Sequence, residues 1–167
     1  MLRRLSILLL ATLGLLGCAM MPPVSPEASL PSVPGGMARV FFYRDADYAE
    51  SGKMAEISLN NQPVGILWRG EVFYRDVEPG DYLISVSSDL AYPNQFKTAR
   101  IEAGQTRYVQ IQSLISWGGT TRRGNVIDRA TYVVALIEAA RAHYDIGQLR
   151  LTPGTSGGAS ATAAPRS

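Results

Sequence analysis

The sequence contains very few of the residues that build metal sites and disulfides. Among its 167 residues, Cys18 is the single cysteine and His143 is the single histidine. One cysteine excludes a disulfide within the chain, and one histidine leaves a transition metal without its usual set of soft ligands. We therefore expect no metal site and no cofactor, and we interpret His143 as an ordinary residue on a helix surface.

An excess of positive charge is also missing once the N-terminal segment is set aside. Removing Arg3 and Arg4 from the 16 basic residues leaves 14, which equals the 14 acidic residues. Nucleic-acid binding requires a basic patch, and the densest basic feature here is the pair Arg122-Arg123. Nucleic acid is therefore not an expected partner, and the charge gives no support for long-range attraction to an anionic membrane.

Helical patterns are scarce as well. A single helix is predicted from Glu138 to Tyr144, with Gly147 as the residue that ends it. An α/β fold would need helices between its strands, so the sequence favours a mainly β fold over this class.

The N-terminus, in contrast, carries a clear targeting pattern. Arg3 and Arg4 precede an apolar run from Leu5 to Leu16, and the small residue Gly17 stands directly before Cys18. This order is typical of a bacterial lipoprotein signal, in which cleavage makes the cysteine the new N-terminus and the site of lipid attachment. The sequence therefore predicts a signal peptide over residues 1–17 and lipidation of Cys18.

Two alternatives to this interpretation remain open. The apolar run can be extended from Leu5 to Met21, which is about the shortest length that spans a bilayer as an uncleaved anchor. The segment could also be an ordinary secretory signal with a spare thiol. By resemblance to Gram-negative lipoproteins, Ala19 favours the outer membrane, because an aspartate at this position would retain the product at the inner membrane. The expected location is the cell envelope, with the protein anchored by lipid and facing the periplasm.

Composition divides the rest of the chain into three parts. Residues 18–36 are rich in proline and are predicted to form a tether that carries the lipidated cysteine. Residues 153–167 consist mainly of Gly, Ser, Ala and Thr and are predicted to be disordered. Residues 37–152 are enough for one domain with a single core.

This central part reads as a series of short strands separated by turn residues. Asn60-Asn61-Gln62 predicts a hairpin, Glu78-Pro79-Gly80-Asp81 a type II turn with a positive φ at Gly80, and Ala103-Gly104-Gln105 a further hairpin. The continuously apolar segment Thr131 to Ile137 is expected to be a central strand covered on both faces. The predicted strands are Arg39–Arg44, Glu56–Leu59, Pro63–Leu67, Glu71–Val77, Tyr82–Val86, Lys97–Ile101, Thr106–Gln112 and Thr131–Ile137.

Strands at this spacing, with few helices, predict a mainly all-β protein. The expected architecture is an antiparallel β-sandwich of about seven strands with one short C-terminal helix. The aromatic residues Trp68, Phe41, Tyr43 and Tyr74 are expected in the sandwich core or in cross-strand pairs.

Four segments carry a resemblance to a known family. They are Ala38 to Arg44, Ile57 to Gly65, Val77 to Tyr82 and Ala103 to Val109. Their order and spacing resemble the domain-of-unknown-function family 2846, which contains bacterial envelope proteins, often lipoproteins, and is similar to PEGA-type β modules. The resemblance implies a small β-sandwich and an envelope location, and it brings no catalytic residue with it. By the same comparison, Ser116 to Asp128 is an elaboration of this chain.

One long loop is the strongest candidate for binding. The segment Trp117 to Asn125 is rich in glycine and places Trp117 close to Arg122 and Arg123. An aromatic ring beside guanidinium groups suits stacking on a sugar or pairing with an acidic partner. A mobile connection without a ligand is the alternative.

Acidic residues offer weaker signals. The segment Asp45 to Gly52 lacks the glycine and oxygen ligands at the spacing of an EF-hand, so we interpret it as a solvated loop. A glycosidase needs two carboxylates that face each other, and nothing in the sequence selects such a pair among the 14 acidic residues.

These observations favour a lipid-anchored envelope protein that acts as a binding or scaffolding module and not as an enzyme. Its expected partners are the membrane, through the lipid on Cys18, and an envelope protein or glycan. The alternatives are an envelope enzyme that acts on glycan through paired carboxylates and a spacer that has no specific ligand.

Overall fold

The computed structural model describes residues 26–46, 53–88, 93–120 and 126–153. Within these ranges, a 3-10 helix, Pro26–Ser29, precedes nine strands and one α-helix. The strands are β1 (Ala38–Arg44), β2 (Ala55–Leu59), β3 (Gln62–Leu67), β4 (Glu71–Val77), β5 (Gly80–Val86), β6 (Phe96–Ile101), β7 (Thr106–Thr120), β8 (Val126–Ile137) and β9 (Arg150–Leu151). The α-helix, α1 (Ala139–Ile146), lies between β8 and β9.

The strands form two sheets, which confirms the predicted β-sandwich. Sheet A has the order β8-β7-β1-β4-β9, and sheet B has the order β3-β2-β5-β6. Five of the strand pairings are antiparallel, whereas β1 pairs with β7 and β4 pairs with β9 in parallel. Sheet A is therefore mixed, a feature that strand-by-strand periodicity does not reveal.

Strand β1 lies at the centre of sheet A and buries side chains on both faces. Val40 and Phe42 belong to the core between the sheets, where Phe42 stacks on Phe73 with ring centroids 5.1 Å apart. Phe41 and Tyr43 point to the opposite face, where they pack against α1. The dense apolar run of β1 thus serves two separate clusters of buried side chains.

The hairpin predicted at Asn60-Asn61 is confirmed. Leu59 pairs with Gln62, and both asparagines between them have a positive φ, 49° and 64°. Two successive residues with positive φ are typical of the turn that matches the twist of a β-hairpin. The Oδ1 atom of Asn60 also accepts a hydrogen bond of 2.8 Å from the Leu83 amide, which ties the turn to β5.

Two other turns were predicted incorrectly. The segment before Gly80 connects β4 in sheet A with β5 in sheet B, and Gly80 does not have a positive φ. At this crossing Tyr82 is buried in the core between the two sheets, and its Oη donates 2.7 Å to the Glu78 carbonyl four residues earlier. The segment around Gly104, where φ is 74°, likewise connects β6 in sheet B with β7 in sheet A. It does not form a hairpin.

Strand β8 is an edge strand, so the prediction of a central position was wrong. Its sheet neighbour is β7. On its other side the Tyr132 amide donates 2.8 Å to Ser88 Oγ, and the Val134 amide donates 2.8 Å to the Asn94 carbonyl. These contacts from the connection between β5 and β6 explain why an edge strand is so apolar, since they cover part of an edge that would otherwise face water.

The predicted loop from Trp117 to Asn125 is shorter than expected. Trp117 to Thr120 belong to β7 and pair with β8, with Trp117 opposite Arg129 and Gly118 opposite Asp128. Gly118 and Gly119 therefore lie in a strand, and Gly124 lies outside the described residues. The helix predicted from Glu138 is confirmed as α1, with Gly147 at its C-terminal cap.

Candidate functional site

An open cleft of about 490 Å³ lies at one end of the sandwich. Its lining includes Lys53, Met54, Glu56, Trp68, Ser87 and Tyr132. These residues come from the ends of β2, β3 and β5 in sheet B and from β8 in sheet A. We refer to it as the Trp68 cleft.

Trp68 stands at the rim of this cleft and is 51% exposed. This corrects the prediction that places it in the core, because Ala55 and Leu67 are the last pair of the β2–β3 hairpin and Trp68 follows that pair. Its amide donates 3.0 Å to Glu71 Oε2, and Gly70, with φ of 72°, turns the chain into β4. The turn therefore carries the indole outward.

The carboxylate of Glu71, which accepts the hydrogen bond from the Trp68 amide, is itself held in place by further contacts. Glu71 is buried and forms an ion pair with Arg150 of β9, whose amide donates 2.8 Å to the Gly70 carbonyl. A buried carboxylate with both a backbone donor and a guanidinium partner has its charge compensated. The position of Trp68 is therefore set by an ordered network.

The floor of the cleft is rigid for a similar reason. Tyr132 Oη donates 2.8 Å to the Lys53 carbonyl, and Arg44 Nη1 donates 2.5 Å to the same oxygen. Arg44 is completely buried, and its guanidinium lies 4.8 Å from the centroid of the Tyr132 ring. Two buried donors that converge on one carbonyl fix the chain at Lys53, where the cleft begins.

The cleft offers mixed chemistry. Met54 and Trp68 are among the large hydrophobic side chains that are strongly exposed in the described part of the chain, and Lys53, Glu56 and Ser87 line the same cleft. Sites for small ligands combine apolar surface with a few polar groups in this way. Among the lining residues that the structure describes, Glu56 is the one carboxylate.

A second polar cluster lies on the outer face of sheet A, under α1. His143 Nε2 is 2.7 Å from Tyr108 Oη and 3.1 Å from Glu27 Oε2. Burial, followed by the neighbouring Glu27 carboxylate, raises the pKa of Tyr108, so the phenol keeps its proton at neutral pH and remains a donor. Glu27 Oε1 is also buried and has no hydrogen-bond partner within the described ranges.

Glu27 belongs to the proline-rich segment that the sequence predicts to be a tether. Within the described residues 26–36, Leu30 packs against the cluster under α1, and the Pro31 carbonyl accepts 2.7 Å from Arg39 Nη1. Arg39 also forms a bidentate pair with Asp76, at 2.7 Å and 2.9 Å. This part of the segment is therefore attached to the domain at three places.

The structure does not describe the side chains of the lipidation and binding residues that the sequence predicts. Cys18, Arg122 and Arg123 lie outside the described residues, and Trp117 is placed in β7 without a described side chain. The prediction that Phe41, Tyr43 and Tyr74 lie in the core or in cross-strand pairs is confirmed. Phe41 and Tyr74 form a cross-strand pair with ring centroids 5.8 Å apart.

The acidic segment 45–52 is described only at its start. There Asp45 Oδ2 accepts 2.8 Å from Gln110 Nε2. In the described part of the chain, no group of three His, Cys, Asp or Glu side chains is placed to hold a metal ion. No helix in the same ranges has the length and hydropathy of a membrane span.

Sequence reasoning missed Trp68 and Glu27. A tryptophan directly before Arg69-Gly70 is a recognisable signal, because a glycine with positive φ ends the strand there and the preceding side chain need not point inward. Glu27 carried no such signal, since its partners Tyr108 and His143 are remote in sequence.

Fold and cleft together define a small two-sheet β-sandwich with an open cleft at the end of its strands. The profile of the family described as "Protein of unknown function (DUF2846)" matches residues 34–121, which is more than half of the chain, and the chain belongs to this family. No curated protein matches the sequence. The matched region contains β1 to β7 and therefore Trp68, whereas Glu27 and His143 lie outside it.

Proposed function

We propose that this protein is a lipid-anchored binding module of the bacterial cell envelope that recognises a glycan at the Trp68 cleft. The anchor would be Cys18, preceded by a signal peptide over residues 1–17, with the outer membrane as the favoured location. The observation that carries the binding function is the exposed indole of Trp68 on an ordered turn beside polar side chains.

A sugar ring suits this cleft for chemical reasons. Sugars present C–H groups on one face, which pack on an aromatic ring, and hydroxyls around the edge, which need both donors and acceptors. Trp68 supplies the ring, Lys53 the donor, Glu56 the acceptor and Ser87 a hydroxyl that is both. Because one amine and one carboxylate balance each other, the cleft has no strong preference for a highly charged ligand.

The enzyme alternative receives less support. Hydrolysis of a glycosidic bond uses two carboxylates on opposite sides of the bond, and the described lining contributes Glu56 alone. A glycan suits the cleft better than a protein partner does, because the cleft is a local depression with one prominent aromatic ring.

Anchoring and binding are tested separately. Metabolic labelling with a fatty-acid analogue is expected to label the wild-type protein and to leave Cys18→Ser unlabelled. A wild-type protein that carries no label would contradict the anchor without affecting the cleft.

For the cleft, the purified full-length protein in detergent is titrated with soluble peptidoglycan fragments and lipopolysaccharide core oligosaccharide. Trp68→Ala is expected to weaken binding about tenfold or more, because truncation of a central aromatic contact typically costs about 1–2 kcal/mol or more. The matched control is Phe96→Ala, which removes another strongly exposed ring that does not line the cleft. Equal affinities for wild type and Trp68→Ala, or crosslinking of a protein at Trp68 in intact cells, would contradict the glycan assignment.

A further inference from the structure

The N-terminal segment is more than a passive link between lipid and domain. We propose that residues 26–36 form a strap, locked onto the outer face of sheet A by Glu27, which holds the domain close to the membrane. The strap itself is independent of the ligand of the cleft; its effect on distance rests on the proposed anchoring through Cys18.

The first support is the number and variety of contacts. Glu27 meets His143 and Tyr108, Leu30 packs into the apolar cluster under α1, and the Pro31 carbonyl accepts from Arg39. A flexible linker makes no such specific contacts. Polar, apolar and backbone contacts that recur over five residues indicate a docked segment.

The second support is the composition of the docking surface. Tyr108 and His143 come from β7 and α1, and their rings meet edge to face with centroids 5.3 Å apart. Each places a polar atom at the Glu27 carboxylate, while the buried rings of Phe41 and Tyr43 lie in the same cluster as Leu30. The surface thus combines an apolar floor with donors at the position of the acidic residue.

The third support is the rigid passage from strap to sheet. Arg39 is the second residue of β1 and joins the Pro31 carbonyl on one side to Asp76 of β4 on the other. The Met37 amide donates 3.0 Å to the Pro34 carbonyl, and Gly36 has a φ of 78° at this turn. The turn folds the strap back over the sheet that it enters.

The consequence is a change in reach. With the strap docked, the link from Cys18 contains the seven residues from Ala19 to Ser25, which reach about 22 Å in extended polyproline geometry. With the strap released, the link contains the 18 residues from Ala19 to Gly36, which reach about 55 Å. The lock therefore decides whether the domain stays within about 22 Å of its anchor.

Hydrogen exchange tests the lock in the purified full-length protein in detergent. The readout is the Leu30 amide, which donates 3.1 Å to the Glu27 carbonyl within the 3-10 helix. Glu27→Ala is expected to lower its protection about tenfold, because a hydrogen bond to a charged group is worth roughly that factor. Asp81→Ala, which removes an exposed carboxylate from β5 in sheet B, is the matched control and keeps the wild-type protection.

A second variant separates the lock from general loosening of the fold. Tyr108→Phe keeps the ring under α1 and removes only the hydroxyl, so the strap amide loses protection while the amides of β1 keep theirs. Unchanged protection of Leu30 in both Glu27→Ala and Tyr108→Phe, or a wild-type Leu30 amide that exchanges as fast as an unstructured peptide, would overturn the proposal.

Reach is measured with the lipidated protein in vesicles. A donor dye is placed on Thr98→Cys, an exposed position of β6, and acceptor dyes are placed on the lipid headgroups. Energy transfer is expected to fall in Glu27→Ala and to stay at the level of the otherwise unmutated protein in Asp81→Ala. Equal transfer in both variants would contradict the effect on distance. Failure of the protein to associate with vesicles would contradict the proposed lipid anchor. The docking of the strap would then be decided by the hydrogen-exchange experiment alone.

Discussion

The ring of Phe73 occupies the space next to Gly65 in which any other residue would place its Cβ atom. A Cβ built on Gly65 would lie 2.4 Å from Phe73 Cζ. Phe73 cannot move away, because it is buried and stacks on Phe42 in the core between the sheets. The glycine in β3 is therefore required by packing, whereas its φ is unexceptional.

Gly65→Ala is accordingly expected to destabilise the protein. Overpacking of a tight core costs about 1–3 kcal/mol, and the measurement is the free energy of unfolding in urea. Gly35→Ala is the control, since a Cβ at Gly35 meets nothing within 4 Å and its φ is not positive. A loss below about 0.5 kcal/mol for Gly65→Ala would show that the ring shifts freely.

The ion pair between Arg39 and Asp76 predicts a larger loss. The Arg39 side chain is only 6% exposed, and the hydrogen bond that it donates to Asp76 is the main cause that raises its pKa. Asp76→Ala leaves a buried guanidinium without its carboxylate, which is expected to cost about 3 kcal/mol in the free energy of unfolding.

The control for this variant is Asp81→Ala. Asp81 faces Arg100 at 3.6 Å, and both side chains are 58% exposed, so solvent screens their attraction and the expected loss is below about 1 kcal/mol. Equal losses for the two variants would contradict the difference in burial between the two pairs.

How far the sequence predicts this fold depends on whether a feature is local. The Asn60-Asn61 hairpin and α1 were predicted correctly because turn and helix preferences act over a few neighbouring residues. Whether the chain stays in one sheet at Gly80 or at Gly104 depends on the burial of residues such as Tyr82. That burial is set by packing of the whole domain. Turn chemistry alone could not give the destination of the next strand.

The candidate site shows the same division. Trp68 could be found from the strand-ending Arg69-Gly70, but the convergence of Arg44 and Tyr132 on the Lys53 carbonyl joins three segments that are far apart in sequence. The contact of Glu27 with His143 spans more than one hundred residues. Such contacts have no periodic pattern, so they are visible only in the folded chain.

Tyr43 predicts a specific dependence of stability on alkaline pH. Its Oη donates 3.0 Å to Asp145 Oδ2, and burial, together with this carboxylate, raises its pKa above the ordinary value of 10. The folded protein therefore holds the phenolic proton more tightly than the unfolded chain does. The resulting stabilisation is fully present below about pH 10 and is lost as the pH rises above it.

The free energy of unfolding is thus expected to fall above pH 10 with a contribution of up to about 1.4 kcal/mol per pH unit from this tyrosine. Tyr43→Phe removes that contribution and makes the decline between pH 10 and 11.5 shallower, although it also removes a hydrogen bond at neutral pH. Urea unfolding of both proteins at a series of pH values gives the two slopes. Identical slopes would mean that the Tyr43 proton is not linked to folding.

The floor of the Trp68 cleft provides a test that separates stability from binding. Tyr132→Phe keeps the ring under Arg44 and removes the Oη donor to the Lys53 carbonyl, which is expected to cost about 1 kcal/mol. Tyr82→Phe removes the same kind of bond, from a buried Oη to the Glu78 carbonyl, at a place outside the cleft. Both variants are expected to lower the free energy of unfolding by a similar amount. Tyr132→Phe alone should also weaken glycan binding, about threefold or more, because the Lys53 carbonyl then loses the Tyr132 donor and keeps the Arg44 donor. Parallel titrations of the two proteins distinguish these effects, and equal glycan affinity in both would mean that the bond to Lys53 does not shape the cleft.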